Sequence, residues 1–124
     1  MNRERVTILG STGSIGVQTL DIIRRYPERF QVSSLVAHSR WEQLAEQALR
    51  YDAKRVVIGD KRYYNNLCEA LRGSGIAIEA GEEAIAEAAA EGDCDTVVNA
   101  LVGYAGLHPT MRAIECGKRI ALAN

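Results

Sequence analysis

Short β-type runs alternate with helical patterns from one end of this 124-residue chain to the other, and a Gly-Ser-Thr-Gly-Ser-Ile-Gly run, Gly10 to Gly16, directly follows the first of them. With no Ser/Gly linker and no low-complexity tract, these features predict an α/β fold. The expected architecture is a Rossmann-like, doubly wound parallel sheet of about six strands with helices on both faces. The length fits one domain, which at this size buries roughly two-thirds of its unfolded surface and needs no disulfide staples.

The apolar run Val6-Thr7-Ile8-Leu9 reads as the first strand. Gly16, Leu20 and Ile23 then fall at helical spacing, so a helix of roughly Ser14 to Arg25 follows, and Pro27 stops the pattern. Phe30 to Val36 is the second strand. Ser39 with Glu42 has the Ser-x-x-Glu spacing of a capping box, which opens a helix from about Arg40 to Tyr51. Arg55 to Ile58 is the third strand, Asp60 an N-cap, and the segment to Arg72 a third helix closed by Gly73-Ser74-Gly75. Ile76 to Glu79 is a short edge strand. The Ala/Glu-rich stretch Glu82 to Glu91 has strong helix propensity and ends at Gly92. Asp95 to Asn99 is the fifth strand, Pro109 sits near the start of a helix that Gly117 closes, and Arg119 to Leu122 is the sixth strand.

Fifteen basic and sixteen acidic residues leave a net charge of −1. No basic stripe interleaved with aromatics appears, which argues against a nucleic-acid partner. The three cysteines, Cys68, Cys94 and Cys116, are far apart and lack metal-ligand spacing, so they read as reduced, mostly buried thiols of a cytoplasmic protein. The N-terminus runs straight into the first strand, without an apolar segment that would act as signal peptide or membrane span.

In doubly wound sheets ligands bind beyond the carboxyl ends of the strands. After the first strand, Gly10, Gly13 and Gly16 let the backbone turn sharply and approach a pyrophosphate, while Thr12, Gly13, Ser14 and Ile15 offer N–H groups and two hydroxyls at a helix N-terminus. The spacing is Gly-x-x-Gly-x-x-Gly, a variant of the commoner fingerprint, and a flexible turn without ligand is the alternative. After the second strand an NAD-selective site places an acid on the ribose, whereas this chain reads Ala37-His38-Ser39-Arg40, which favours NADP. Arg40 can pair with a 2′-phosphate, Ser39 can donate a hydroxyl and His38 can add partial charge; alternatively Ser39 is only a cap and Arg40 a solvated side chain. After the fifth strand, Asn99 to Gly106 is apolar and Gly-punctuated, suited to a wall against adenine or nicotinamide or to burial against a neighbouring domain. His108 reads as a surface or capping histidine, and Asp93 and Asp95 as solvated turn residues at the opposite edge of the sheet. No nucleophile–base pair, paired-carboxylate site or metal cluster can be assembled, so no catalytic or metal-ligating residue is assigned.

The first glycine run, Gly-Tyr-Ala-Gly-Leu-His-Pro-Thr at Gly103 to Thr110 and Gly-Lys-Arg-Ile-Ala-Leu-Ala-Asn at Gly117 to Asn124 together resemble the 1-deoxy-D-xylulose 5-phosphate reductoisomerase family over the whole chain. The first motif is shared with other NADP-dependent families, including aspartate-semialdehyde dehydrogenases; the second and third are far more specific. The resemblance implies an N-terminal NADPH-binding domain, residues 1–124, of an oxidoreductase of non-mevalonate isoprenoid biosynthesis. That reaction rearranges a ketose phosphate to an aldehyde and reduces it to 2-C-methyl-D-erythritol 4-phosphate. An aspartate-semialdehyde-dehydrogenase-like domain and a non-catalytic NADP-sensing module are the competing readings.

Carried over residue by residue, the resemblance makes Thr12, Gly13, Ser14 and Ile15 the pyrophosphate turn and Ala37, His38, Ser39 and Arg40 the adenosine-ribose segment. Ala100, Leu101, Val102 and Ala105 become the wall beside the cofactor, and Leu122, Ala123 and Asn124 the start of a Leu-Ala-Asn-Lys-Glu segment. Two departures stand out: the Lys-Glu is not among these residues, and His38-Ser39-Arg40 replaces the Gly-Lys-Asn or Asn-Lys-Ser of many relatives. The resemblance further implies that a divalent cation (Mg or Mn), the sugar-phosphate site and a mobile lid belong to a central domain followed by a helical one, and that the full-length protein is a homodimer. These residues alone are therefore expected to bind NADPH weakly and to catalyse nothing.

Overall fold

A computed structural model of the chain describes residues 3–91, 93–101 and 107–122. Six parallel strands, β1 (Glu4–Leu9), β2 (Phe30–Ala37), β3 (Arg55–Ile58), β4 (Ala77–Ala80), β5 (Thr96–Asn99) and β6 (Arg119–Leu122), form one sheet in the order β4-β3-β2-β1-β5-β6. Between them run α1 (Ser14–Arg25), α2 (Trp41–Arg50), α3 (Tyr64–Ala70), α4 (Glu82–Ala90) and α5 (Leu107–Glu115). The first three crossovers step outward from β1 to one edge; the chain then returns past β1 to β5 and continues to the other edge. Because parallel crossovers are right-handed, reversing the direction of travel reverses the face, which puts α1 to α3 on one side and α4 and α5 on the other.

The core divides accordingly. Val6, Ile8, Leu35, Val56 and Ile58 pack with Leu20, Ile23, Leu44 and Leu67 from α1, α2 and α3. On the other face Leu9, Val36, Val57 and Val97 meet Ile85, Ala88 and Ala89 of α4 and Ala113 of α5. Successive strand side chains point to opposite faces, so β1 and β3, sandwiched between helices, are buried on both. One irregularity breaks the alternation. Val6 pairs with Val32 but Ile8 with Leu35, so Ser33 and Ser34 of β2 oppose the single Thr7 of β1 in a β-bulge. The bulge restores Leu35 to the face of Val32, and the Ser33 carbonyl accepts the Lys54 N–H at 2.9 Å.

The predicted elements are all present, with revised ends. Ser39 and Glu42 do not form the expected capping box: α2 is capped at Arg40 without any side-chain hydrogen bond, and Ser39 contributes its carbonyl to the Trp41 N–H at 2.8 Å. Asp60 does cap, but it opens a one-turn 3₁₀ helix, Lys61–Tyr63, ahead of α3. After α3 the chain turns through Gly73 and Gly75, both at positive φ, with the Ser74 hydroxyl donating to the Leu71 carbonyl at 2.6 Å. The cysteines also differ from expectation. Cys94 is buried, Cys68 half-buried and Cys116 exposed, all as free thiols, because Cys116 lies in the turn after α5 rather than under a helix.

Asp95 is not a solvated turn residue. At the amino edge of the sheet it accepts from the Arg5 Nη2 at 2.9 Å, Nε at 3.1 Å and backbone N–H at 2.9 Å, tying β5 to β1. Hydrogen bonding from the Arg5 side chain, then from its backbone, lowers the Asp95 carboxyl from 3.8 to about 2. A carboxyl depressed in the folded state stabilises it above the unfolded value, and that contribution disappears as pH falls through the folded value. Acid unfolding followed by circular dichroism is expected to lose stability from about pH 4 towards the folded value of about 2. In Asp95→Asn this part of the slope is absent, and stability at neutral pH is lower.

Candidate functional site

The carboxyl ends of β1, β2 and β5 converge where the strand order reverses. Leaving β1, Gly10 takes φ +88, a conformation that L side chains rarely adopt. The Gly10 and Ser11 N–H groups both donate to the Val36 carbonyl, at 2.8 and 2.9 Å, which anchors the turn to β2. A Cβ on Gly16 would stand 2.2 Å from the Gly10 carbonyl oxygen and 2.6 Å from the Ser11 Cα, so only glycine lets α1 lie this close to the turn. Gly13 differs from the sequence expectation. Its backbone is extended (φ −79, ψ 175), and a Cβ there would meet only the Gly10 oxygen at 3.6 Å, so the turn itself does not require glycine at that position.

Helix α1 starts from Gly13 with no side-chain cap; its first hydrogen bond runs from the Val17 N–H to the Gly13 carbonyl at 2.9 Å. The amides of Ser14, Ile15 and Gly16 belong to the first turn, whose N–H groups have no intrahelical acceptor. No acid occupies that turn either. Gly13, Ser14 and Ile15 are exposed and Thr12 half-buried; the Gly13 N–H donates to the Gly10 carbonyl at 3.3 Å, so the positive end of the helix dipole opens to solvent through the amides of the first helical turn.

Two residues outside the sequence-based set hold this turn. Ser11, fully buried, donates its hydroxyl to the Gln47 Oε1 at 2.8 Å, and Gln47 Nε2 donates back to the Ser11 carbonyl at 3.0 Å. No local signal identifies Gln47, since it reaches the turn only through the packing of α2.

Ala37 ends β2 in the core, and His38, Ser39 and Arg40 follow it, all exposed. Arg40 forms no ion pair with a described residue. A cavity of about 360 Å³ is lined by Ser39, Arg40, Trp41, Glu42, Gln43 and Tyr63. His38 is fixed from the next strand end: its carbonyl accepts the Asp60 N–H at 2.8 Å, and a Cβ on Gly59 would lie 3.0 Å from its Nδ1.

Ala100 and Leu101 meet the first turn directly. A Cβ on Gly10 would lie 3.2 Å from the Ala100 carbonyl group and 3.2 Å from the Leu101 Cδ2. Asn99 shapes this approach, accepting the Leu101 N–H at 3.1 Å and donating Nδ2 to the Thr110 hydroxyl of α5 at 2.9 Å. Leu122 is the register partner of Asn99. The structure thus puts Thr12 to Ile15, Ala100, Leu101 and the backbone of Leu122 at the same carboxyl edge of the sheet, where Ala37 to Arg40 also leave β2. Val102, Tyr104, Ala105, Ala123, Asn124 and the side chain of His108 lie outside the described residues. Among the described residues no group of three or more His, Cys, Asp and Glu side chains is placed to hold a metal ion.

The sequence model for 1-deoxy-D-xylulose 5-phosphate reductoisomerase matches residues 6–124. The chain belongs to this family. A reductoisomerase from Paraburkholderia phytofirmans is 45% identical over 124 residues, covering 98% of this chain and 31% of the relative. The reductoisomerase from Zymomonas mobilis, solved in complex with NADPH, superposes with a TM-score of 0.94 at 48% identity over 99% of this chain and 32% of its own. A DOX-P reductoisomerase solved with NADPH, fosmidomycin and magnesium gives a TM-score of 0.92 at 37% identity, covering 98% and 30%. The chain therefore spans about a third of the length of the family members it matches.

Gly16→Ala is expected to destabilise the chain by about 2–3 kcal/mol in urea unfolding, since a backbone overlap outweighs the gain in helix propensity. Gly13→Ala stays within about 1 kcal/mol of the parent. Gln47→Ala, which strands buried Ser11 groups, costs about 1–3 kcal/mol in the same measurement.

Proposed function

We propose that these residues form the NADPH-binding domain of an enzyme that rearranges and reduces 1-deoxy-D-xylulose 5-phosphate to 2-C-methyl-D-erythritol 4-phosphate. The observation that carries this reading is the uncapped, solvent-facing N-terminus of α1, held against β1 by Gly16. The site fits a dinucleotide: Ser14 and Ile15, both exposed, present amides at a helix N-terminus while the Gly13 N–H closes the turn onto the Gly10 carbonyl at 3.3 Å, and glycine at position 10 leaves no Cβ between the turn and Ala100. The amides of Thr12, Gly13, Ser14 and Ile15, with the Thr12 and Ser14 hydroxyls, bind the pyrophosphate. Ala37 to Arg40 bind the adenosine ribose, with the Arg40 guanidinium in no ion pair with a described residue and able to fork onto a 2′-phosphate. Ala100, Leu101, Val102 and Ala105 wall the cofactor, and Leu122, the last residue of β6, borders it with Ala123 and Asn124.

Bound NADPH would supply the hydride; the residues of this chain position it and exclude water on the Leu101 side. The relatives solved with magnesium or with magnesium and fosmidomycin support a divalent cation and a sugar-phosphate site in further segments of the full protein. In the same reading the protein is cytoplasmic, in keeping with its three free thiols, and homodimeric at full length, as the family resemblance implies.

Titration of the 124-residue chain by calorimetry is expected to show NADPH binding at least about tenfold more tightly than NADH, a ratio set by the 2′-phosphate contacts. Arg40→Ala lowers NADPH affinity by about tenfold with a much smaller effect on NADH. Equal affinity for the two cofactors overturns the role of Arg40; binding of neither overturns the reading.

A further inference from the structure

We propose that the Asp60–Arg62 pair, at the carboxyl end of β3, sets how strongly this site prefers a cofactor carrying a 2′-phosphate, with Arg62 cancelling a fixed carboxylate that would otherwise repel it. This rests on the cofactor reading above, which places the 2′-phosphate at His38 to Arg40.

Asp60 is held beside that segment by its own backbone, whose N–H donates to the His38 carbonyl at 2.8 Å. Its side chain cannot swing away. The Oδ1 accepts the Arg62 backbone N–H at 3.0 Å to start the 3₁₀ turn, and only 15% of the side chain is exposed. Bonding to Arg62 lowers the Asp60 carboxyl from 3.8 to about 2, so this carboxylate, whose backbone is bonded to His38, stays negatively charged throughout the neutral range.

Arg62 neutralises that charge side-on. Its Nε lies 3.1 and 3.2 Å from the two carboxylate oxygens and its Nη2 2.7 Å from Oδ2. The guanidinium is 5.6 Å from the centroid of the Tyr63 ring, and Tyr63 lines the cavity shared by Ser39 and Arg40. Thus a single aromatic ring separates the pair from the space assigned to the phosphate. The neighbouring cation does not substitute for Arg62, because the Lys61 stem packs over Gly81 at the start of α4, its Cε 2.7 Å from where a Cβ on that glycine would stand.

With Arg62 in place the lining of the cavity and its nearest neighbours balance: Arg40 and Arg62 against Glu42 and Asp60. Without Arg62, two carboxylates face one guanidinium, and a phosphate dianion is penalised while a plain ribose is not. One unit charge acting on a dianion across about 8 Å of partly aqueous medium changes affinity by about fivefold.

The test is the ratio of NADPH to NADH affinity measured by calorimetry on the 124-residue chain. Arg62→Gln is expected to lower the ratio about fivefold through NADPH alone, and Arg62→Lys, which keeps the charge, to retain most of it. Asp60→Asn preserves the oxygen that caps the 3₁₀ turn and raises the ratio about fivefold; the double variant returns close to the parent. A merely structural role would move both cofactors together and lower the Tm. Should Asp60→Asn fail to fold, the contrast between Arg62→Gln and Arg62→Lys decides. An unchanged ratio in Arg62→Gln, with Arg40→Ala still lowering it, overturns this proposal and leaves the cofactor reading intact; a ratio of one in the parent overturns this proposal together with the role given to Arg40.

Discussion

Helix α1 is pressed so closely onto the end of β1 that the Gly16 Cα leaves no space for a methyl group, and the rest of the site depends on that approach. A helix can begin this near a strand only if the connecting turn is short, which here requires the positive φ of Gly10 and the double hydrogen bond from Gly10 and Ser11 to the Val36 carbonyl. The result is that the electropositive end of α1 sits, uncapped and exposed, immediately beyond the carboxyl end of β1. A looser junction would carry the amides of Ser14 and Ile15 away from the end of β1.

The topology supplies the crevice itself. Strands β2 to β4 lie on one side of β1 and strands β5 and β6 on the other, so the chains leaving β1 and β5 depart to opposite faces and leave a gap at their carboxyl ends. Two separate apolar cores hold the faces, while the Arg5–Asp95 pair fastens β1 to β5 at the far edge, where it cannot interfere with the ligand. The stabilising charge cluster and the binding edge are thus segregated by the length of the strands.

Much of this was legible in the residues because local rules and the final fold agree. Apolar runs of four to eight residues, helical spacing at Gly16, Leu20 and Ile23, and breakers such as Pro27 and Gly73 mark elements that the sheet then adopts. The failures concern local geometry that letters do not carry and partners that lie far away in sequence. The Ser39–Glu42 spacing is that of a capping box, yet α2 starts one residue later than that box requires, with Arg40 at the N-cap position and no side-chain hydrogen bond there. Asp95 reads as a turn residue until Arg5, ninety positions earlier, is placed beside it. The three glycines of the turn look equivalent as letters, but Gly10 answers to backbone angle, Gly16 to backbone contact, and Gly13 to neither. The bulge at Ser33 and Ser34 is invisible for the same reason, since it exists only in the pairing of β2 with β1.

Ser11 and Gln47 exchange two hydrogen bonds across thirty-six positions, with the serine wholly out of solvent. The consequence is preorganisation: the loop is tied in one shape before any ligand arrives, so the proposed anion would dock with little further loss of ordering entropy. It also makes the two positions a coupled pair. A change at one leaves the other with unsatisfied groups, so they are free to drift only in concert.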